Sequence, residues 1–346
     1  MKLKVLFIGG TGNISVSVSN LVVERGMDLY LLNRGQQHVT IKGASTITAD
    51  ITRAQQVRAA LGEHRFDVVV NWIAYVEPDI ERDLVLFSGR CGQYIFISSA
   101  SAYQKPPTHP IITESTPLLN PYWQYSRDKI SCEARLMRGW CEEGFPVTIV
   151  RPSHTYDTRL PIAVGNWASY VVPKRMVEGK PIVVHGDGAS LWTLTHAEDF
   201  AKGFVGLLGH PQAIGHALHI TSDFVLTWNQ VYEQIGDALG VKPRLVHIPS
   251  EFIAKVDPDT GAGLLGDKMW CALFDNSKIK RFVPGYVATI PFHEGIRRTL
   301  AWFQADESRM QVPPEDDSQS SESWVRSRTD ATPGRTAQPI ACSTMG

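Results

Sequence analysis

The chain has 346 residues, 34 lysines and arginines against 35 aspartates and glutamates, and a formal net charge of -1. A balance this near zero leaves no electrostatic footprint for polyphosphate, which argues against nucleic-acid binding or attachment to an anionic membrane as the main role. A hydrophobic fraction of 43% supports a full core and excludes wholesale disorder. The longest apolar run, 68–76, is broken by Asn71 and falls far short of the roughly 20 residues a membrane span needs. The five cysteines form no C-x-x-C pair, and their odd number argues against a disulfide framework and against structural zinc. The expected setting is the cytoplasm, with reduced thiols and no metal.

The N-terminal run Lys4-Val5-Leu6-Phe7-Ile8 reads as a buried strand; it passes into glycines without a cleavage site, so it is not a signal peptide. Ile14, Val18, Leu21 and Val22 recur at helical spacing before Arg25-Gly26. Strands follow at Leu29–Leu32, Ser45–Ala49, Asp67–Val70, Tyr94–Ile97 and Val147–Val150, with helices over 54–61 and 125–143. Such strict alternation predicts a parallel sheet covered on both faces. From about residue 160 the pattern is irregular, with short apolar pieces at 182–184 and 217–220 and helices over 228–239 and 292–303. Seven serines and four prolines stand among residues 305–346, where apolar clustering is almost absent. The expected fold class is α/β, a Rossmann-type doubly wound parallel sheet with a smaller C-terminal substrate-binding lobe. Residues 1–165 make the dinucleotide-binding core, with strands returning near 194–222; 166–303 make mainly the lobe, and 305–346 a disordered tail.

The first strand-to-helix turn is Gly9-Gly10-Thr11-Gly12-Asn13-Ile14-Ser15. Glycines there admit a pyrophosphate to the backbone, and the helix start favours its charge. Ser15 holds the third glycine's slot, where a small residue still permits close packing. About twenty residues on, Asn33-Arg34 stands where an acid would meet the adenosine ribose. Asn33 is neutral and Arg34 can pair with a 2′-phosphate, giving a lean toward NADP over NAD; Arg34 as a solvated residue on the adenine is the equal alternative. Asp50-Ile51 is read as an adenine contact, with Asp50 equally able to cap a helix.

The fifth strand ends in Ser98-Ser99-Ala100-Ser101-Ala102-Tyr103, and Tyr125-Ser126-Arg127-Asp128-Lys129 opens a later helix. A spacing of four puts Tyr125 and Lys129 on one face, where an ammonium would lower the phenol's pKa and make it an acid or base, with a serine hydroxyl holding the substrate oxygen. This order of glycine loop, serine-rich strand end and Y-x-x-x-K resembles the short-chain dehydrogenase/reductase superfamily, in its extended branch of NAD-dependent sugar-nucleotide epimerases and dehydratases. The resemblance runs from residue 1 to about 303 and includes Arg151-Pro152-Ser153-His154-Thr155-Tyr156, His185-Gly186-Asp187-Gly188 and His196-Ala197-Glu198-Asp199.

The resemblance implies Ser99, Tyr125 and Lys129 as catalytic residues, with Ser98 the neighbour most easily confused with Ser99. It also implies that Gly9, Gly12, Asn13, Ile14, Ala74, Lys129, Pro152 and His154 border the cofactor. Ser101, Tyr103, Trp123, Asn166 and Trp192 are read toward the substrate. Family dehydratases follow the catalytic Ser/Thr with an Asp-Glu pair; here Ala100-Ser101 disfavours dehydration. The slot for the arginine that pairs with a nucleotide-sugar diphosphate falls on Trp192, which is either a substrate contact or a packed residue of the lobe. The expected activity is NAD(P)-dependent oxidoreduction or epimerisation at a hydroxyl of a sugar or nucleotide-sugar-like substrate, by a homodimer. The short segment from Glu77 to Gln93 and the run Ser98 to Pro106 also resemble the branch containing chloroplast stem-loop-binding proteins. RNA binding or cofactor sensing on the same scaffold is therefore the competing reading.

Overall fold

The computed structural model describes residues 2–35 and 39–313. Seven parallel strands form one sheet: β1 (Lys4–Ile8), β2 (Asp28–Asn33), β3 (Ser45–Thr48), β4 (Phe66–Asn71), β5 (Cys91–Ile97), then Val147–Pro152 and Ala217–Ile220. Their spatial order from one edge is 217–220, 147–152, β5, β4, β1, β2, β3. The chain therefore winds outward from β1 to β3 and then returns to β1's other side with β4. Ile8 pairs with Leu32 on one flank and Asn71 on the other, so the strand order reverses at β1 and opens a crevice at the carboxyl ends.

Alternation along β1 divides the core. Val5 and Phe7 face α1 (Ser15–Glu24) through Val18 and Val22, together with Phe200 and Phe204. Leu6 and Ile8 face the opposite layer, where α2 (Ala54–Leu61) supplies Val57 and Leu61 and α3 (Glu77–Phe87) supplies Ile80 and Leu84. Leu136 of α4 (Gln124–Glu143) closes that layer. The short segment between β4 and β5 is thus mostly helical, with Pro78 in its first turn and the Asp79 carboxylate accepting from the N–H of Tyr75, 2.9 Å away.

A third core lies beyond the sheet, where Tyr156, Leu160, Trp192, Trp228, Tyr232, Ile296 and Phe303 pack together. Three small sheets surround it, pairing 154–156 with 191–196 and 225–227, 181–185 with 244–248, and 111–112 with 273–274. The expected tail is corrected at its start: Glu307–Met310 forms a helical turn, and the apolar side chains of Met310 and Val312 pack, partly buried, against this third core. The rest of that expectation, from 314, lies outside the described residues.

Candidate active site

The crevice at the reversal point is a cleft of about 830 Å³ lined by Gly9, Thr11, Gly12, Asn13, Asn33, Arg34, Asp50 and Ile51. Gly9 has φ of 82°, and a Cβ there would lie 2.6 Å from Ile73 Cγ2; a Cβ on Gly10 would lie 2.6 Å from Leu31 Cδ2. The positive φ makes glycine necessary at Gly9, while at Gly10 a side chain would have to displace the Leu31 methyl. Ser15 uses its hydroxyl to tie the turn, accepting from the Gly12 N–H at 2.7 Å and donating to the Gly9 carbonyl at 3.2 Å. The Asn13 amide donates to the Thr155 carbonyl, while its Oδ1 is buried without a partner at the cleft wall. A buried orphan acceptor beside free N–H groups at a helix start fits a dinucleotide pyrophosphate with its hydroxyl-bearing ribose.

At the far end, Asn33 Oδ1 accepts from the Gly35 N–H and so is turned onto its own loop. Asp50 accepts from Thr52 at 3.0 and 2.8 Å; these bonds hold its carboxyl below the usual range, aided by Arg34 and Arg53. Asp50 is therefore both a turn anchor and a cleft residue. Tyr75, Asp79, Arg82, Asp157, Arg159 and Trp302 also line the cleft. Arg159 follows the R-P-x-x-x-Y segment by three residues and was findable from it; Trp302 comes from the last helix, and nothing local in the sequence marks it.

The two serines ending β5 part ways. Ser98 is buried and donates to Glu133, whose carboxylate is also held by Arg151 Nε at 2.9 Å. Ser99 is partly exposed, its hydroxyl 2.9 Å from that of Ser101, which accepts from Ser126 at 2.8 Å. Tyr125, on α4, has the Ser99 side chain near enough to oppose part of the rise that burial imposes on its phenol. Lys129 is buried and donates to the carbonyls of Ala74 at 2.7 Å and Ile97 at 2.8 Å, with its ammonium 5.7 Å from the Tyr125 ring centre. Two of its three donors are engaged, leaving one for a ligand.

The expectation that Lys129 lowers the Tyr125 pKa is not met in this state. Burial pushes the phenol up to about 12, opposed only by Ser99, and burial pushes Lys129 down to about 8. Pro152 ends its strand buried against Ile220. His154 lies on the next strand near Trp228, with Nδ1 buried and unpartnered and its pKa pushed down to about 3 by burial and Lys268.

Three residues read toward the substrate are held by the protein's own contacts. Tyr103 is fully buried, its hydroxyl 3.0 Å from His219 Nδ1 and its ring under Arg151, so it supports the site from below. Trp192 is 1% exposed and packs on Trp228, ring centres 5.4 Å apart, within the third core. Asn166 is exposed and accepts from the Ala168 N–H within its own turn. Ser101 is buried within the hydroxyl chain, while Trp123 lies 4.9 Å from the Tyr125 ring and remains beside the reacting position.

The fold and this cleft define a dinucleotide-binding α/β protein of Rossmann type. The chain belongs to the NAD dependent epimerase/dehydratase family, whose model matches residues 5–221, and it is an enzyme of that family. It is 26% identical over 291 residues to the 2′-dehydrokanamycin reductase of Streptomyces kanamyceticus, covering 82% of this chain and 80% of the relative. It is also 26% identical over 265 residues to the chloroplast stem-loop binding protein of 41 kDa b of Arabidopsis thaliana, covering 72% and 67%. The structure of a UDP-glucose 4-epimerase from Bifidobacterium longum, solved with NAD+ and UDP, superposes with a TM-score of 0.70 at 18% identity, covering 88% of this chain and 99% of that one. Among the described residues no helix is long and apolar enough to cross a membrane, no group of ligating side chains suits a metal, and Cys91, Cys132, Cys141 and Cys271 are free.

Proposed function

We propose that this enzyme moves a hydride between a dinucleotide and a hydroxyl-bearing carbon of a sugar or nucleotide-sugar-like substrate. The observation that carries the reading is buried Lys129, bound to the Ile97 carbonyl at the carboxyl end of β5 two residues before Ser99, with its ammonium 5.7 Å from the Tyr125 ring centre. Bound in the cleft, the dinucleotide would supply the hydride acceptor and, when oxidised, a positive ring. Tyr125 would exchange the hydroxyl proton, Ser99 would hold the oxygen, and the third proton of Lys129 would meet the nicotinamide ribose. The relatives' names include a reductase and an epimerase, which differ in whether the ketone is released or reduced again on its other face. Dehydration is disfavoured because Ala100 and Ser101 supply no carboxylate beside Ser99.

The test is Tyr125→Phe. Removing the proton-transfer group lowers turnover with NAD(P)H and a panel of keto-sugars by about 10²–10⁴-fold. Affinity for the dinucleotide, read by fluorescence titration, stays within a few-fold. Unchanged turnover would sink the assignment. Retention of a tightly bound dinucleotide through purification favours the epimerase form; free exchange favours the reductase.

A further inference from the structure

Part of the cleft wall comes from outside the strand and helix that build its phosphate turn. Asp157, Arg159 and Trp302 line the cleft together with Gly9, Gly12 and Asn13. The segment carrying Asp157 and Arg159 is fastened on two sides. Ser17, on α1 just after the phosphate turn, donates to the Asp157 carboxylate at 3.2 Å, and Thr299 of the last helix donates to the Asp157 carbonyl. Beyond Arg159 the chain is tied back again, since the Leu160 N–H donates to the Trp167 carbonyl at 2.8 Å.

On this fixed segment Arg159 is partly buried and carries its charge unspent. Its guanidinium lies over the Trp167 ring, 5.4 Å from the ring centre, and among the described residues it makes no hydrogen bond or ion pair. Stacking occupies the face of a guanidinium and leaves the fork of N–H donors in its plane open. Neighbouring arginines are already committed. Arg82 pairs with Asp79 at 2.8 Å and Asp83 at 3.0 Å, while Arg309 lies 4.2 Å from the Trp302 ring centre and donates to the Trp302 carbonyl at 2.7 Å. Arg34 stands toward the far end of the cleft, close enough to Asp50 to act on its carboxyl.

The charge that the phosphate turn lacks decides what Arg159 meets. A dinucleotide's pyrophosphate carries a negative charge on each phosphate. The start of α1 offers N–H groups and roughly half a positive charge, and among the described residues no lysine lines the cleft. Asp157 adds a carboxyl to the same wall, although burial holds it above the usual range. An arginine fork matches the paired oxygens of a phosphate, and a guanidinium already stacked in place loses less freedom on gripping them. A nucleotide-sugar diphosphate has the same chemistry, but Arg159 shares its cleft with the glycine turn, whereas Trp192, at the expected diphosphate slot, is packed in the third core.

We propose that Arg159, steadied by Trp167 and by the ties of Asp157, binds the pyrophosphate of the dinucleotide, so that NAD and NADP alike are gripped by a side chain from outside the β1–α1 unit. The inference deepens the functional reading above and rests on it for the dinucleotide's place in the cleft.

The experiment is fluorescence titration with NADH, using NAD, NADP and ADP-ribose as competitors, and a separate titration of the NADH-loaded protein with UDP. Arg159→Met weakens each dinucleotide and ADP-ribose by about tenfold or more and by similar factors, as loss of one phosphate pair predicts. Arg159→Lys, which keeps the charge and loses the fork, falls between. The thermal midpoint of the ligand-free Arg159→Met protein stays within about 2 °C of wild type, since no bond is lost. Dinucleotide affinities within about threefold of wild type, a loss confined to UDP, or a large drop in the ligand-free midpoint overturns the proposal. A wild type that binds no dinucleotide sinks the functional reading and this inference with it, whereas full dinucleotide binding by Arg159→Met sinks the inference alone.

Discussion

Replacing Ser98 and Ser99 one at a time by alanine separates structure from chemistry at adjacent positions. Ser98 donates to a Glu133 carboxylate that is 3% exposed and whose other partner is Arg151, 6% exposed. A hydrogen bond to a charged group contributes about 1.5–3 kcal/mol, and because Arg151 still holds the carboxylate, the loss should sit at the low end. At roughly 2–4 °C per kcal/mol for a large domain, Ser98→Ala lowers the thermal midpoint by about 3–6 °C. Its hydroxyl does not face the crevice, so turnover per folded molecule stays within a few-fold. Ser99→Ala removes neutral bonds to the Ser101 hydroxyl and from the Ser101 N–H at a partly exposed site, a change of about 1–2 kcal/mol, but also the hydroxyl proposed to hold the substrate oxygen. Losing one such donor typically costs about 10²–10³ in kcat. The assays are thermal unfolding and the absorbance change of the nicotinamide during turnover. A Ser98→Ala enzyme that is stable but inactive, alongside an active Ser99→Ala enzyme, would refute the assignment of the two serines.

Three further expectations follow from single side chains. Lys129 has its folded-state pKa depressed to about 8, so the fold bears a penalty for its charge below that pH, and the penalty is relieved as pH rises toward the unfolded value near 10.4. Urea unfolding of the wild type should therefore gain on Lys129→Met between pH 8 and 10.5, by on the order of 3 kcal/mol at most; a pH-independent difference would show that the ammonium is not desolvated. Arg34→Ser should weaken NADP by about tenfold or more while moving NAD by less than threefold, as loss of one phosphate pair predicts; equal effects on both dinucleotides in calorimetry would assign Arg34 to the adenine instead. Gly9→Ala, placing a Cβ 2.6 Å from Ile73 at φ 82°, should weaken both dinucleotides together and lower the thermal midpoint; an unchanged affinity in the same titrations would move the pyrophosphate away from this turn.

What was legible in the sequence was local or periodic. The β-branched runs at 4–8 and 67–70, alternating with amphipathic helices, determined the parallel sheet, and the glycines at 9, 10 and 12 located its phosphate turn, because backbone approach and positive φ depend on the residue itself. The spacing of Tyr125 and Lys129 put them on one helical face for the same reason.

Only the tertiary structure decided where neighbours in sequence point and what distant residues share. Ser98 and Ser99 are chemically identical, and their roles diverge only because Glu133 and Arg151 meet one of them behind the sheet. Trp192 read toward the substrate, with packing in the lobe as the alternative, and Trp228, from a helix 36 positions later, lies against it. Lys105 and Asp267 lie 162 positions apart and meet at 4.0 Å, where Asn120 donates to the Ser101 and Gly266 carbonyls. Periodicity records which face of an element is buried, but not which partner buries it. That choice is made when the lobe packs over the sheet.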